Sequence, residues 1–152
     1  MTAGSRLTVF LKRHSTIGVD TNPFIYHLQD DPRYNATTSA LFAAIEEERT
    51  SAVTSTITML ALLVRPLRDG RATLVNTIDA LGSRYPNLRW VPTSLSIATR
   101  AAFLRASHRL STPDAIQLAT ALEAGASGFV TNDASLARVE ELEVFLIDRD
   151  LS

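Results

Sequence analysis

Short apolar segments that suit buried strands alternate along this chain with longer segments that suit helices, and this alternation restricts the fold more than any other feature. The strand candidates are STIGVD, SAVTS, LRWVP, SGFVTND and EVFLID. Between them, apolar residues recur at helical spacing in segments such as NATTSALFAAIEEERT and TPDAIQLATALEAG. Strands that alternate with helices favour a parallel sheet with helices on both faces. The sequence therefore predicts an α/β fold with a central, mainly parallel sheet of four or five strands.

Local signals predict where two of the helices begin or end. In NPFIYHLQ, Asn22 is expected to cap a helix and Pro23 to occupy its first position. In TITMLALLVRPLR, Pro66 is expected to kink or end the helix, because proline lacks the backbone N–H of a helical bond. The segments DGRATLVNTIDALGSRYP, SLSIATRAAFLRASHRL and TPDAIQLATALEAG predict three further helices.

The composition is ordinary for a folded protein of one domain. The chain has 152 residues, of which 45% are hydrophobic and 20% charged, so residues 1–152 are expected to form a single domain with its own core. The absence of cysteine excludes disulfides, thiolate metal sites and cysteine nucleophiles. The apolar run from Val9 to Leu11 is too short for a signal peptide or a membrane span. We therefore expect a cytoplasmic protein.

The formal net charge of −1 conceals an uneven distribution along the chain. Residues 65–109 contain eight arginines and two acidic residues, whereas residues 110–152 contain two arginines and eight acidic residues. A basic middle region is compatible with a phosphate-bearing partner, and equally with an ordinary solvated helix surface. Charge alone leaves both interpretations open.

Three aspartates stand at the ends of apolar elements. Asp20 ends the strand candidate STIGVD, and Asp133 ends SGFVTND. Since ligands of open parallel sheets bind beyond the carboxyl ends of strands, both side chains are expected on one rim. Asp114 lies in the first turn of a predicted helix, where the helix dipole alone favours an acid. Each aspartate by itself is typical of a turn or cap, but the three together indicate a cation site.

The chemistry of such a site follows from its ligands. Clustered carboxylates repel one another, and oxygen ligands without histidine or cysteine favour Mg²⁺ or Mn²⁺. A cation of this kind can polarise a phosphoryl oxygen and lower the pKa of a bound water. The pattern therefore points to phosphodiester or other phosphoryl chemistry.

Four segments in order, IGVDTNPFIYHL, TSTITMLALLVRPLR, LSTPDAIQLATALEAGA and FVTNDASL, resemble the PIN-domain family, and most closely its VapC toxins. The resemblance implies a three-layer α/β/α fold and RNA cleavage that depends on Mg²⁺ or Mn²⁺. It also implies a homodimer and a cognate VapB-like antitoxin that blocks the active site. Asp20, Asp114 and Asp133 match three acidic positions of the family, which implies catalytic and metal-binding roles. Thr131 and Asn132 match polar residues that accompany the last acid, which implies substrate contact.

The chain departs from the family at a fourth acidic position. The family has a glutamate in a context like ITLxExLxxPLR, whereas this chain has ITMLALLVRPLR with Ala61 at that position. Either natural degeneration or an engineered change that makes a toxic nuclease tolerable explains the alanine, and the intact surrounding motif favours the engineered change. We therefore expect an impaired ribonuclease. The alternative is a catalytically inactive PIN-like module that binds RNA or its antitoxin.

Two arginines follow Ala61 on the same predicted helix. Arg65 and Arg68 come four and seven residues after it, so they share its helical face if Pro66 does not turn the segment away. We expect them to border the substrate groove, where they would contact phosphates.

Other phosphate-transferring α/β proteins fit the sequence poorly. A haloacid-dehalogenase-like phosphatase needs Asp-x-Asp after its first strand, but Asn22 stands at the second acidic position. A receiver domain needs a lysine near the C-terminal part of its sheet, and the single lysine, Lys12, precedes the first strand. The P-loop motif GxxxxGK[ST] is also absent.

Overall fold

Five parallel strands form the central sheet in this computed structural model, which describes residues 3–151 and the side chains of residues 6–149. The ends of the predicted domain, residues 1, 2 and 152, lie outside the described residues. The strands follow the spatial order β3-β2-β1-β4-β5, and each neighbouring pair is parallel. Their bounds are β1 Thr16–Val19, β2 Ser51–Ser55, β3 Leu88–Val91, β4 Gly128–Thr131 and β5 Glu143–Leu146. All five strand predictions are confirmed.

Helices cover the sheet on both faces. Their bounds are α1 Ala3–Arg13, α2 Thr21–Leu28, α3 Asn35–Glu46, α4 Thr56–Arg68, α5 Ala72–Arg84, α6 Leu95–His108, α7 Thr112–Glu123 and α8 Ile147–Leu151, with a 3₁₀-helix at Ala134–Arg138. Within residues 3–151, no helix is both long enough and apolar enough to cross a membrane.

The sheet separates two apolar cores. Successive side chains of a strand point to opposite faces, so Val130 joins the first core while its neighbour Phe129 joins the second. Helices α1–α5 contribute to the first core, and α6 and α7 to the second. The expected three-layer α/β/α arrangement is confirmed.

The expected start of α2 is wrong, and α4 does not end at Pro66. Asp20 caps α2, because its Oδ1 accepts a hydrogen bond from the backbone N of Thr21 at 2.8 Å, and Asn22 and Pro23 lie inside the first turn. There the missing N–H of proline has no helical partner to lose. Helix α4 continues past Pro66 for two residues, to Arg68. Pro66 is buried near the end of α4, where it removes only one helical hydrogen bond.

The sequence patterns also missed α1. Leu7, Phe10 and Leu11 have the i, i+3, i+4 spacing of a helix face, and all three are buried in the first core. The apolar run from Val9 to Leu11 is thus part of an amphipathic helix that packs beside α3.

Candidate active site

The winding of the sheet reverses beside β1, and this creates a crevice. The chain adds β2 and β3 on one side of β1, then returns to place β4 and β5 on its other side. In open α/β sheets, such a reversal leaves a ligand-binding crevice at the carboxyl ends of the two strands. Asp20 directly follows β1, and Asp133 follows β4 by two residues. The two aspartates therefore stand at the same rim, as predicted.

Asp114 reaches this rim because α7 runs back across the sheet to the amino end of β4. Its first turn thus lies near the carboxyl ends of the strands, and the Oγ of Ser111 caps it by accepting a bond from the backbone N of Asp114 at 3.3 Å. Gly18 lets α7 pack closely on β1. A Cβ at Gly18 would lie only 2.6 Å from the Cβ of Ala121 and from Cδ1 of Phe129.

The three aspartates line one open cleft with a volume of ≈ 470 Å³. Ala61, on α4, lines the same cleft, which agrees with its match to the fourth acidic position. Apolar side chains form much of the remaining wall, namely those of Ile25, Ile57, Leu60, Pro113 and Ile116. The cleft thus combines a few carboxylates with an apolar surround.

Asp20 is the most buried of the three acids. Its side chain accepts hydrogen bonds from the Oγ1 of Thr131 at 2.7 Å and from the backbone N of Thr21 at 2.8 Å, and the residue is 6% exposed. Burial raises the pKa of Asp20, the two hydrogen bonds oppose this rise, and the charges of Asp114 and Asp133 add to it. The net effect is a raised pKa, so the charged form is held at an energetic cost.

Asp114 shows the same electrostatic strain in a half-buried setting. Burial raises its pKa, a hydrogen bond from Ser111 opposes the rise, and the charge of Asp133 adds to it. The neighbouring acids contribute to both raised pKa values because the three aspartates line one cleft. A cation bound between them would relieve the repulsion.

Thr131 positions Asp20 and the backbone of Asp133, whereas the side chain of Asn132 bonds to residues that do not line the cleft. Thr131 is fully buried, and its Oγ1 donates to Asp20 while accepting from the backbone N of Asp133 at 3.1 Å. The side chain of Asn132 bonds to the hydroxyl of Tyr26 at 3.1 Å and to Asp148 at 3.1 and 2.8 Å. These contacts indicate a positioning role for Thr131, and the substrate contact implied for Asn132 stays a prediction.

A buried polar cluster beneath the cleft was missed by the sequence patterns. The Nε2 of Gln117 donates to the Oγ1 of Thr58 at 2.6 Å, and its Oε1 accepts from the backbone N of Ser55 at 3.4 Å. Thr58 also bonds to Thr54 at 2.8 Å and to Thr21 at 3.3 Å. The cluster joins β2, α2, α4 and α7, which are the elements around the site. Its one sequence signal is a glutamine three residues after Asp114, on a helix that is otherwise rich in apolar residues.

Arg65 and Arg68 lie in the last turn of α4 with exposed side chains. They follow Ala61 at helical spacing, but neither is among the residues that line the cleft.

The donor set suits a hard divalent ion, although its carboxylates do not form a ready-made cage. Among residues 6–149, no three histidine, aspartate or glutamate side chains stand together in ion-binding geometry. Two of the acids accept hydrogen bonds from nearby donors. Asp20 accepts from Thr131 and Thr21, and Asp133 accepts from the backbone N and the Oγ of Ser135 at 2.9 and 2.7 Å. Mg²⁺ commonly keeps several waters and needs only one or two carboxylates. The oxygen donors and raised pKa values in one cleft fit such an ion.

Comparison with known protein families identifies the fold. The sequence model of the PIN-domain family matches residues 17–142 of the chain. The chain belongs to the PIN-domain family. PIN domains are generally nucleases that use divalent metal ions.

Solved structures with the same PIN fold come from toxin–antitoxin complexes. A chain of VapBC2 from Rickettsia felis, bound to a DNA fragment from its promoter, aligns with a TM-score of 0.66 and 16% identity over 86% of this chain and 98% of that one. A toxin–antitoxin complex from Klebsiella pneumoniae aligns with a TM-score of 0.64 and 26% sequence identity, over 86% of this chain and 97% of that one. DNA-bound VapBC from Salmonella typhimurium aligns with a TM-score of 0.56 and 18% sequence identity, over 87% of this chain and 98% of that one. Comparison with curated protein sequences finds no match.

Proposed function

We propose that this chain is the toxin of a VapBC-type toxin–antitoxin pair, an endoribonuclease that uses Mg²⁺ or Mn²⁺. The observation that carries this proposal is the convergence of Asp20, Asp114, Asp133 and Ala61 on one cleft at the switch point of the sheet. Membership of the PIN family supports the nuclease activity, and the VapBC complexes of the same fold support the toxin role. RNA cleavage of this kind would take place in the cytoplasm.

The three aspartates would hold the metal. When bound, Mg²⁺ or Mn²⁺ polarises a phosphoryl oxygen and makes water a stronger nucleophile at neutral pH. The protein contributes fixed ligands: Thr131 orients Asp20 and the backbone of Asp133, while Ser111 caps the turn that carries Asp114. The apolar wall of the cleft limits water around the reacting phosphate and strengthens these interactions.

Ala61 lowers activity in this proposal, because alanine supplies neither a ligand nor negative charge to the cleft. Loss of one preorganised polar group from an active site lowers the rate by about 10²–10³. The fold tolerates the alanine, since it is the best helix former and Ala61 lies inside α4.

Protein partners fit two surface features of the chain. Leu60, Val64 and Leu67 form an exposed apolar stripe along α4, at i, i+4 and i+7 spacing, beside the cleft. Exposed apolar stripes of this kind typically meet another protein. We propose that the toxin forms a homodimer and binds a VapB-like antitoxin that covers the cleft. Arg65 and Arg68 remain proposed RNA contacts outside the cleft wall.

The decisive experiment restores the fourth acid. The given chain and its Ala61→Glu variant are incubated with total RNA in Mg²⁺, Mn²⁺ or EDTA, and their toxicity is compared in an inducible host. We expect Ala61→Glu to cleave RNA about 10²–10³ times faster than the given chain and to arrest growth. Ala61→Gln is the matched control, because it adds the same bulk without a charge.

Two controls define the outcomes. The double variant Ala61→Glu, Asp114→Asn should lose the gained activity, which separates this site from a contaminating nuclease. Equal cleavage by the given chain and Ala61→Glu would show that position 61 is dispensable. RNA binding without cleavage in both would favour the second candidate function, an inactive PIN module that binds RNA or antitoxin, to which Ala61 itself points.

A further inference from the structure

Three arginine side chains gather at the short loop between α6 and α7. Arg109 lies in this loop. The Nη2 of Arg138 donates to the carbonyl of His108 at 2.6 Å, and the Nε of Arg105 donates to the carbonyl of Leu110 at 2.9 Å. Two distant segments, α6 and the 3₁₀-helix, thus bring their arginines to the same few backbone carbonyls.

This loop borders the cleft. The Nη1 of Arg105 donates to the Oγ1 of Thr112 at 3.0 Å, and Thr112 is one of the residues that line the cleft. Arg109 precedes Thr112 by three residues, so their Cα atoms lie within about 10 Å. Arg138 follows Asp133 by five residues, at the end of the 3₁₀-helix that Asp133 begins. The arginines therefore flank the Asp114 and Asp133 side of the cleft.

The positive charges of this group are not neutralised within the described part of the chain. None of the three guanidinium groups forms an ion pair with a described carboxylate, and the neighbouring acid, Glu141, contacts His108 at 3.1 Å instead. All three side chains are exposed. Like charges held together at a surface favour the binding of an anion.

The backbone of Arg109 adds a second observation. Its φ is 55°, in the left-handed region at the end of α6, where glycine is usual because it has no Cβ. The chain instead places there a long cationic side chain that makes no hydrogen bond or ion pair with the described residues. Its guanidinium is thus available to a ligand beside the cleft, and its planar donors suit phosphate oxygens.

We propose that Arg105, Arg109 and Arg138 form a phosphate-binding rim that holds the RNA backbone on one side of the scissile phosphate. This inference rests on the proposed function. A strand whose phosphate lies at the carboxylates carries further phosphates out of the cleft, and the rim meets them there. An acidic peptide offers no such regular series of charges. Phosphate contacts carry no sequence information, so the rim sets affinity and register without choosing the cleaved sequence.

The test measures the salt dependence of RNA binding by the full chain. Fluorescence anisotropy follows a labelled single-stranded RNA in EDTA, which prevents metal-dependent cleavage, over a range of KCl concentrations. Each phosphate contact to a single strand contributes about 0.7 to the slope of log K against log salt. We expect Arg109→Gln to lower the slope by about 0.7, and Arg109→Gln with Arg138→Gln by about 1.4.

The single variant guards against a folding artefact, because the side chain of Arg109 makes no hydrogen bond or ion pair with the described residues. The matched control is Arg84→Gln, which removes an exposed charge near the amino end of β3, at the edge of the sheet opposite the cleft. The control should keep the full slope. Equal salt slopes of RNA binding for all variants, or an equal loss of slope in the rim and control variants, would overturn the proposal of a phosphate-binding rim.

Failure of the rim and failure of the proposed function give different results. If the rim is wrong, the given chain still binds RNA and Ala61→Glu still cleaves it. If the proposed function is wrong, Ala61→Glu does not cleave RNA, and the rim still stands if the rim variants alone lower the salt slope of RNA binding. Rim variants that lose an acidic antitoxin peptide but keep RNA binding would assign the surface to the antitoxin and overturn the inference.

Discussion

Replacing Gln117 with leucine tests whether the polar cluster beneath the cleft holds the active-site elements together. Gln117 is 3% exposed and contacts α4 through Thr58, β2 through the backbone of Ser55, and α2 through Thr21. Leucine keeps most of the side-chain volume but forms no hydrogen bonds. The substitution therefore removes the polar link between these elements without opening a large cavity.

The expected loss of stability follows from the bonds removed. One bond, to Thr58 at 2.6 Å, is short, whereas those to Ser55 and Thr21 are both 3.4 Å long and weak. Thr58 keeps Thr54 as a partner, and both Thr58 and the backbone N of Ser55 lose their bond to Gln117. A hydrogen bond lost from the interior costs about 0.5–1.5 kcal/mol, so the short bond and the two weak ones together should lower stability by about 1–3 kcal/mol and the melting temperature by roughly 2–12 °C.

The assay compares Gln117→Leu with a control on the same helix. Thr120 is 1% exposed, and its hydroxyl bonds only to the carbonyl of Ile116 in its own helix at 2.6 Å. Thr120→Val should therefore cost less than about 1 kcal/mol. In the Ala61→Glu background, Gln117→Leu should also raise the Mg²⁺ concentration needed for half-maximal cleavage, whereas Thr120→Val should not. Equal stability and equal Mg²⁺ dependence of the two variants would refute the reasoning.

Two further predictions concern α7 and Asp20. Gly18→Ala should destabilise the protein by about 1–3 kcal/mol in urea unfolding, because the new Cβ would lie 2.6 Å from the Cβ of Ala121 and displace α7. An unchanged free energy of unfolding would contradict this packing. The raised pKa of Asp20 means that the folded state binds its proton more tightly than the unfolded state, so stability should decrease as pH rises above the ordinary value of 3.8 and level off above the raised pKa. In EDTA, Asp20→Asn should reduce this decrease, and an unchanged pH profile would show that Asp20 is not strained.

The sheet was predictable because the pattern that specifies it is local. A strand buried on both faces is apolar along its length, and segments such as SGFVTND and EVFLID show an apolar run of this kind. The rim position of Asp20 and Asp133 followed from the same pattern. Helix α1 was missed because its apolar face is divided by polar residues, so only its 3.6-residue period reveals it.

The parts of the site that were not predicted depend on distant contacts. Gln117 finds Thr58 at a separation of 59 residues, and Thr131 finds Asp20 at 111, so no local window contains either pair. The alternation of side chains along a strand does not say which face of the sheet Thr131 lies on, and its burial depends on its neighbours in the fold. Asp20 caps α2 instead of Asn22, because β1 ends at Val19 and the helix begins at Thr21, directly after Asp20.

The same electrostatics connects stability with activity at this cleft. The pKa values of Asp20 and Asp114 are raised first by burial and then by neighbouring acids, so these charges destabilise the fold unless a cation is bound. Ala61 removes one potential charge from this group, and the chain as given should therefore be less strained without metal than a chain with glutamate. Ala61→Glu adds repulsion that only a cation relieves, so it should gain more stability from Mg²⁺. The residue that restores catalysis is thus expected to make the fold more dependent on its metal, which is the usual relation between an active site and the stability of its scaffold.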